Sequence, residues 1–87
     1  MDIEEIKLNI KTNVYHITAD KKVALHKHDH HDELFYCMQG SGYGVLENSE
    51  TELNVGKVFN VPAGTLHALR TESDLWVGSF LIPVITP

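Results

Sequence analysis

The chain consists of short segments rich in β-branched and aromatic residues, each bounded by Gly, Pro, Asn or Asp. The segments recur roughly every 8–12 residues, a spacing typical of an all-β sandwich or barrel. We expect a helix at most near residues 4–6. The pattern therefore predicts an all-β fold with about eight strands, expected at 14–18, 23–28, 33–38, 43–47, 51–55, 58–61, 66–69 and 75–82.

Three glycines lie in or just after the turn expected between the strands at 33–38 and 43–47. Gly40, Gly42 and Gly44 look like part of a phosphate-binding loop, but a strand follows them and not the helix such a loop needs. We interpret them as hairpin glycines.

Size and composition predict one globular domain over residues 1–87, with no second domain or attached reader domain. Hydrophobic residues make up 43% and charged residues 22% of the 87 residues, an ordinary globular balance. A chain of this length buries only about 60–65% of its unfolded surface, so its core is thin. A bound metal or a partner subunit would supplement that core.

Charge and cysteine content exclude several classes of partner. The net charge of −5 argues against nucleic acid or an anionic membrane as the main partner. The single Cys37 cannot form an internal disulfide and fits a reducing compartment. The acidic start of the chain does not resemble a signal peptide, and no apolar run reaches the length of a membrane span. We therefore expect a cytoplasmic protein.

Four of the six histidines lie between residues 26 and 31. On a strand, His26 and His28 project to the same face with Cβ atoms about 6–7 Å apart. Glu33 follows after a short polar bend, so its carboxylate can lie beside them. Imidazole and carboxylate ligands suit Fe, Mn, Ni, Co or Zn. The spacing predicts a divalent transition-metal site, and the alternative is a solvated His/Asp-rich loop that binds metal only incidentally.

A helical alternative exists because His26 and His30 stand four residues apart, as in helical zinc sites. The apolar runs at 23–25 and 34–38 that flank the cluster lack the 3.6-residue spacing of a helix. The strand interpretation is favoured.

The spacing around the cluster resembles the first motif of the cupin family, G-x5-H-x-H-x3,4-E-x6-G. His26-x-His28 is followed by four residues, Glu33, six residues and Gly40, whereas Asp20 replaces the leading Gly. This motif covers about residues 20–40.

The second cupin motif, G-x5-P-x-G-x2-H-x3-N, is matched at about residues 56–71. Gly56, Pro62, Gly64 and His67 occupy every position except the last, where Thr71 replaces Asn. Neither departure falls on a metal ligand of the family.

The resemblance implies an antiparallel jelly-roll β-barrel that holds a metal ion. It also implies that His26, His28, Glu33 and His67 are the protein ligands. Strand spacing supports the first three, but it does not by itself select His67 over the other histidines. Four ligands leave up to two open positions on an octahedral ion.

Strand alternation from the ligands predicts the lining of the cavity. Lys27 and Arg70 fall on the opposite parity, so we expect no clamp for a phosphate or polycarboxylate and a small, weakly charged ligand. The expected lining residues, with Val61 and Thr71 as further additions, are Phe35, Cys37, Val45, Phe59 and Leu69.

Residues outside these sets receive ordinary interpretations. Cys37 is expected to be a buried hydrophobe, His30 and His31 solvated loop residues, and His16 a surface or packing residue. The apolar end at 80–87 either completes the barrel or is buried in a partner. Because cupins commonly dimerise, we predict a homodimer.

Three functions remain open at the level of the sequence. The first is a metal-dependent enzyme of the oxygenase or isomerase type that acts on a small organic molecule. The second is a non-catalytic metabolite- or metal-binding sensory module. The third is a structural zinc site with all its positions closed. An enzyme requires a general acid or base in the cavity, and alternation offers only Cys37, Thr71 and Glu47.

Overall fold

A computed structural model describes residues 2–21 and 24–85 of the chain. All strand pairings in it are antiparallel, and the all-β prediction is confirmed. The elements are α1 Ile3–Asn9, β1 Lys11–Thr18, β2 His31–Leu46, β3 Glu50–Asn54, β4 Val58–Val61, β5 His67–Arg70 and β6 Asp74–Pro83.

The helix α1 is longer than the short segment expected from the sequence. Asp2 caps it by accepting a hydrogen bond from the backbone N–H of Glu4 at 3.0 Å. Glu4 and Glu5 lie in its first turn and Lys7 in its last, which complements the helix dipole. None of its residues is buried, so α1 lies at the periphery. No helix in the described part of the chain is long and apolar enough to cross a membrane.

The strands form two sheets that share β2. The N-terminal half of β2 pairs with β6 and β4, and β6 pairs with β1, which makes a first sheet in the order β1-β6-β2-β4. The C-terminal half of β2 pairs with β3 and β5 in a second sheet. Apolar side chains from both sheets form one core. Its members are Ile17, Phe35, Cys37, Leu53, Phe59, Val61, Leu69, Leu75 and Val77.

The prediction of two strands separated by a turn at residues 40–42 was wrong. β2 runs unbroken over 16 residues and passes from one sheet to the other. Its register shifts between Cys37, opposite Val77, and Gln39, opposite Trp76, so that Met38 is an extra residue in a β-bulge. The bulge bends the strand and reverses the alternation of its side chains.

The glycines of this segment are accordingly not hairpin glycines. Gly40 has a φ of 81°, which other residues rarely adopt. A Cβ atom at Gly44 would lie 2.5 Å from Cγ of Phe59, so the aromatic ring occupies the space of the missing side chain. These positions let β2 bend and let the core pack against its backbone.

The strand expected at 23–28 is reduced to one bridge within the described residues, and Val23 lies outside them. His26 and His67 exchange both backbone hydrogen bonds, at 3.0 and 2.8 Å. The bridge ties the segment that carries His26 and His28 to the start of β5. The expected strand at 75–82 is confirmed as β6, and residues 86 and 87 of the apolar end lie outside the described residues.

Candidate metal centre

Four side chains from three parts of the chain meet at one end of the barrel. His26 and His28 come from the bridged segment, Glu33 from β2 and His67 from the first position of β5. One ligand atom of each residue lies within 4.8 Å of the others. The structure thus brings together the four residues that the cupin motifs indicate.

The carboxylate of Glu33 is at the centre of this cluster. Its Oε1 lies 3.0 Å from Nε2 of His67 and 3.2 Å from Nε2 of His28. The hydroxyl of Ser79 donates a hydrogen bond of 2.6 Å to the other oxygen, Oε2. Glu33 and Ser79 are both buried. Ser79 therefore fixes the carboxylate so that Oε1 faces the imidazoles of His67 and His28.

Backbone carbonyl groups orient two of the histidine rings. Nδ1 of His67 lies 2.9 Å from the carbonyl oxygen of Thr65, and Nδ1 of His26 lies 3.3 Å from that of Ala24. A carbonyl oxygen only accepts, so Nδ1 carries a hydrogen in each contact, and Nε2 is the nitrogen that would bind an ion after releasing any proton of its own. This is the tautomer and the outer contact that metal-binding histidines ordinarily have.

The electrostatics of the buried pair keep Glu33 ionised. Burial alone would raise the pKa of its carboxyl, but hydrogen bonds from His67 and Ser79 and the charge of His28 outweigh burial and lower it. Burial would likewise lower the pKa of His67, but its hydrogen bonds with Glu33 and Thr65 raise it. A proton on Nε2 of His67 therefore competes with a metal ion for the same lone pair, which couples metal binding to proton release.

A cavity of about 460 Å³ lies beside the cluster, between β1 and β5. Glu33 and His67 are buried, whereas His28 is partly exposed and His26 is exposed, so the cluster has a closed side and an open side. The residues around the cavity are Val14, Tyr15, His16, Ile17, Lys21, His26, Glu33, Phe35, His67, Ala68 and Leu69.

The expected cavity lining agrees with this cavity only in part. Phe35 and Leu69 border it. Cys37 and Phe59 belong instead to the core, because side chains of the two sheets fill the barrel beyond Phe35. Burial raises the pKa of the Cys37 thiol, as expected for a buried small hydrophobe.

Val45 was also placed wrongly. The Phe59 ring covers the inner side of Gly44, so the next residue, Val45, points to the outer face of the strand. The bulge at Met38 causes this, because it reverses the inward and outward alternation counted from Glu33. Val45 borders a different cavity together with Thr71. Of the two further additions, Val61 lies in the core, and buried Thr71 donates a hydrogen bond of 2.6 Å to the backbone of Ser41.

Two residues that border the site were missed from the sequence. Ser79 follows Leu75 and Val77 at the inward positions of β6, so one hydroxyl among apolar inward residues was the available signal. Lys21 lies in the turn after β1, where strand alternation makes no prediction.

The remaining histidines lie outside the cluster. The His16 ring stacks on Trp76 at 4.0 Å, contacts the carboxylate of Asp74 and lies on the outer face of the first sheet. His31 begins β2, and the backbone oxygen of His30 accepts a hydrogen bond from Val84 at 3.0 Å.

Comparison with known sequences identifies the family. A family model for the cupin domain matches residues 13–82. The chain belongs to the cupin family. Three imidazoles and one carboxylate in a cupin barrel form a group that could hold one divalent transition-metal ion.

Among curated relatives, an uncharacterized protein of Aquifex aeolicus is 32% identical over 88 residues, which cover 99% of this chain and 70% of that protein. Quercetin 2,3-dioxygenase of Bacillus subtilis is 36% identical over 52 residues, 60% of this cupin. The match spans only 15% of the dioxygenase.

Solved structures share the fold at low sequence identity. A predicted oxalate decarboxylase from Thermotoga maritima superposes with a TM-score of 0.81 at 20% identity, over 97% of this chain and 76% of the other. A DMSP lyase from Ruegeria pomeroyi has a TM-score of 0.78 at 19% identity, with coverages of 90% and 40%. These likenesses establish a cupin barrel and leave the reaction open.

Proposed function

We propose that this cupin is a metal-dependent enzyme of the oxygenase or isomerase type that acts on a small organic molecule. The observation that carries the proposal is the convergence of three imidazoles and Oε1 of Glu33 beside a largely apolar cavity of about 460 Å³. Small-molecule sites are commonly apolar cavities of roughly 300–1,000 Å³ with a few polar groups that converge on the ligand.

The residues of the site divide the work between holding an ion and shaping its surroundings. His26, His28, Glu33 and His67 would hold a divalent ion, which would supply Lewis-acid or oxygen-activating chemistry. Fe, Mn, Ni, Co and Zn all accept these ligands. Ser79 keeps the carboxylate of Glu33 oriented. Apolar side chains of the cavity border the buried side of the cluster, whereas exposed His26 leaves its other side open to solvent.

The likeness to quercetin 2,3-dioxygenase favours an oxygenase within this proposal, although the match covers a small part of that protein. A direct test loads the anaerobically purified chain with ferrous iron and measures oxygen uptake with a panel of small acids, ketones and phenols. The proposal expects substrate-dependent uptake, or isomerisation of a panel member, that is lost in His26→Ala/His28→Ala. A loaded protein that converts no panel member contradicts it.

A non-catalytic binding module is the second candidate, favoured by a specific observation. The residues expected as general acid or base, Cys37, Thr71 and Glu47, do not border the cavity beside the cluster. This candidate predicts thermal stabilisation by panel members without turnover. A closed structural zinc site, the third alternative, predicts that metal removal unfolds the chain and that no exchangeable water is bound to the ion.

We further propose that the protein forms a homodimer through the outer face of the first sheet. Val14, Gly78, Tyr36 and Val58 lie in one row across its four strands, and the three larger side chains are 56%, 42% and 52% exposed. Such an uncharged row can pack against its own copy about a two-fold axis.

Light scattering at micromolar concentration should give the mass of two chains. Tyr36→Lys/Val58→Lys should give the mass of one, whereas a wild-type protein of single-chain mass contradicts the dimer. We also propose a cytoplasmic location, supported by the unpaired Cys37. Cell fractionation that finds the protein outside the cytoplasm contradicts it.

A further inference from the structure

The cavity beside the metal centre has apolar walls and very few charges. Ile17, Phe35 and Leu69 are buried core residues that also border it. These side chains would contact the hydrocarbon part of a bound molecule. Among the described residues, the formally charged side chains around the cavity are Glu33 and Lys21.

The charge balance of the cavity is positive once the proposed ion is bound. A divalent ion with the carboxylate of Glu33 and three neutral imidazoles leaves a net charge of about +1 at the centre, by the charges of these groups. Lys21 adds a second positive charge at the cavity wall. This contrasts with the −5 charge of the whole chain.

Lys21 is not neutralised by an ion pair within the described residues. The lysine and arginine side chains that do form ion pairs are Lys7 with Glu4, Lys27 with Asp29, and Arg70 with Glu50 and Glu72. The neighbouring carboxylate of Asp20 accepts a hydrogen bond of 2.6 Å from the hydroxyl of Thr18, and the charge of Lys21 acts on it from beyond ion-pair distance as the smallest of the causes that lower the pKa of Asp20. Lys21 therefore has no carboxylate of the described chain within 4 Å of its ammonium group.

The backbone fixes where the Lys21 side chain begins. The N–H of Lys21 donates a hydrogen bond of 3.0 Å to the carbonyl of Thr18 and closes the turn that ends β1. β1 and β5, which carries His67, both contribute residues to the walls of the cavity. Lys21 thus borders the same cavity as Glu33 and His67, and it also borders a second cavity beside Arg70 and Thr71.

From this arrangement we propose that the site takes a small organic anion, such as an aromatic or branched carboxylate. The anionic group is attracted by the metal centre and Lys21, and the apolar body lies against the walls of the cavity. Lys21 is then a residue that determines specificity for the anion. The inference rests on the proposed metal-binding function and departs from the expectation of a weakly charged ligand, which considered only Lys27 and Arg70.

The test uses the full chain loaded with Zn²⁺, which is inert to redox chemistry, and two ligands of the same shape. Isothermal titration calorimetry measures the dissociation constants of benzoate and of neutral benzamide for the wild type, Lys21→Met and Lys27→Met proteins. Lys27 is the matched control because it is an exposed lysine that pairs with Asp29 and does not border the cavity.

We expect wild type to bind benzoate at least 10-fold more tightly than benzamide. Lys21→Met should weaken benzoate binding by about 3- to 5-fold, the size of effect that one partly solvated charge pair has. It should leave benzamide binding unchanged, and Lys27→Met should alter neither.

Zinc content, measured first on all three proteins, distinguishes a failure to bind metal from a failure to recognise the anion. A wild-type chain that takes up no Zn²⁺ overturns the proposed function and this inference with it. A zinc-loaded chain overturns the inference alone if it fails to bind benzoate, binds benzamide equally well, or is unaffected by Lys21→Met.

Discussion

The hydroxyl of Ser79 offers the sharpest single-atom perturbation of the metal centre. It donates a 2.6 Å hydrogen bond to Oε2 of Glu33 in a buried setting, with Ser79 only 2% and Glu33 3% exposed. Hydrogen bonds to charged groups contribute about 1.5–3 kcal/mol. Removing the donor in Ser79→Ala frees the carboxylate to rotate away from the imidazoles. We therefore expect Zn²⁺ affinity to fall roughly 10- to 100-fold.

Competition with a fluorescent zinc indicator measures this loss on the purified full chain. Ser41→Ala is the matched control, because it removes a hydroxyl from an exposed position of β2. A two-dimensional amide NMR spectrum of each variant verifies that the barrel remains folded. A folded Ser79→Ala protein that binds Zn²⁺ within twofold of wild type would refute the role assigned to this hydrogen bond.

Two further predictions concern the packing around the site. Gly44→Ala forces a Cβ atom against the ring of Phe59 and should cost about 1–3 kcal/mol in urea unfolding. Because Gly78 lies in the proposed dimer face, both glycine variants are compared in the Tyr36→Lys/Val58→Lys background, where Gly78→Ala meets only ordinary contacts at 3.8 Å and should be neutral or slightly stabilising; equal losses in both variants would contradict the assigned packing. Cys37 is fully buried with a raised thiol pKa, so native protein at pH 8 should react with a thiol reagent only slowly, and unfolded protein at once. Rapid reaction of the native thiol would show that the core is open.

The parts of the site that follow from local chemistry were predictable from the sequence. Alternation along an extended segment places His26 and His28 on one side, and the short bend before Glu33 returns a carboxylate to them. His67 lies far along the chain, and only the spacing of the second cupin motif singles it out. Its bridge with His26 is a tertiary contact that no local pattern encodes.

The division of β2 into two strands and the misplacement of Val45 share one physical origin. A single extra residue, Met38, shifts the register of β2 against β6 and turns Val45 away from the cavity. The bulge is defined by pairing with a strand almost forty residues later, so the local pattern of β2 does not reveal it. Ser79 and Lys21 were missed for a related reason, since each gains its meaning from a partner on another element.

The central claim is that four side chains of this cupin bind one metal ion. Elemental analysis of untagged protein measures it directly, with wild type compared with His26→Ala/His28→Ala. We predict about one equivalent of divalent transition metal in wild type, and its loss in the double variant because two of the four ligands are gone. Two results would contradict the claim. One is an undiminished metal content in the double variant, and the other is wild-type protein that holds no metal after incubation with Fe, Mn, Ni, Co or Zn ions.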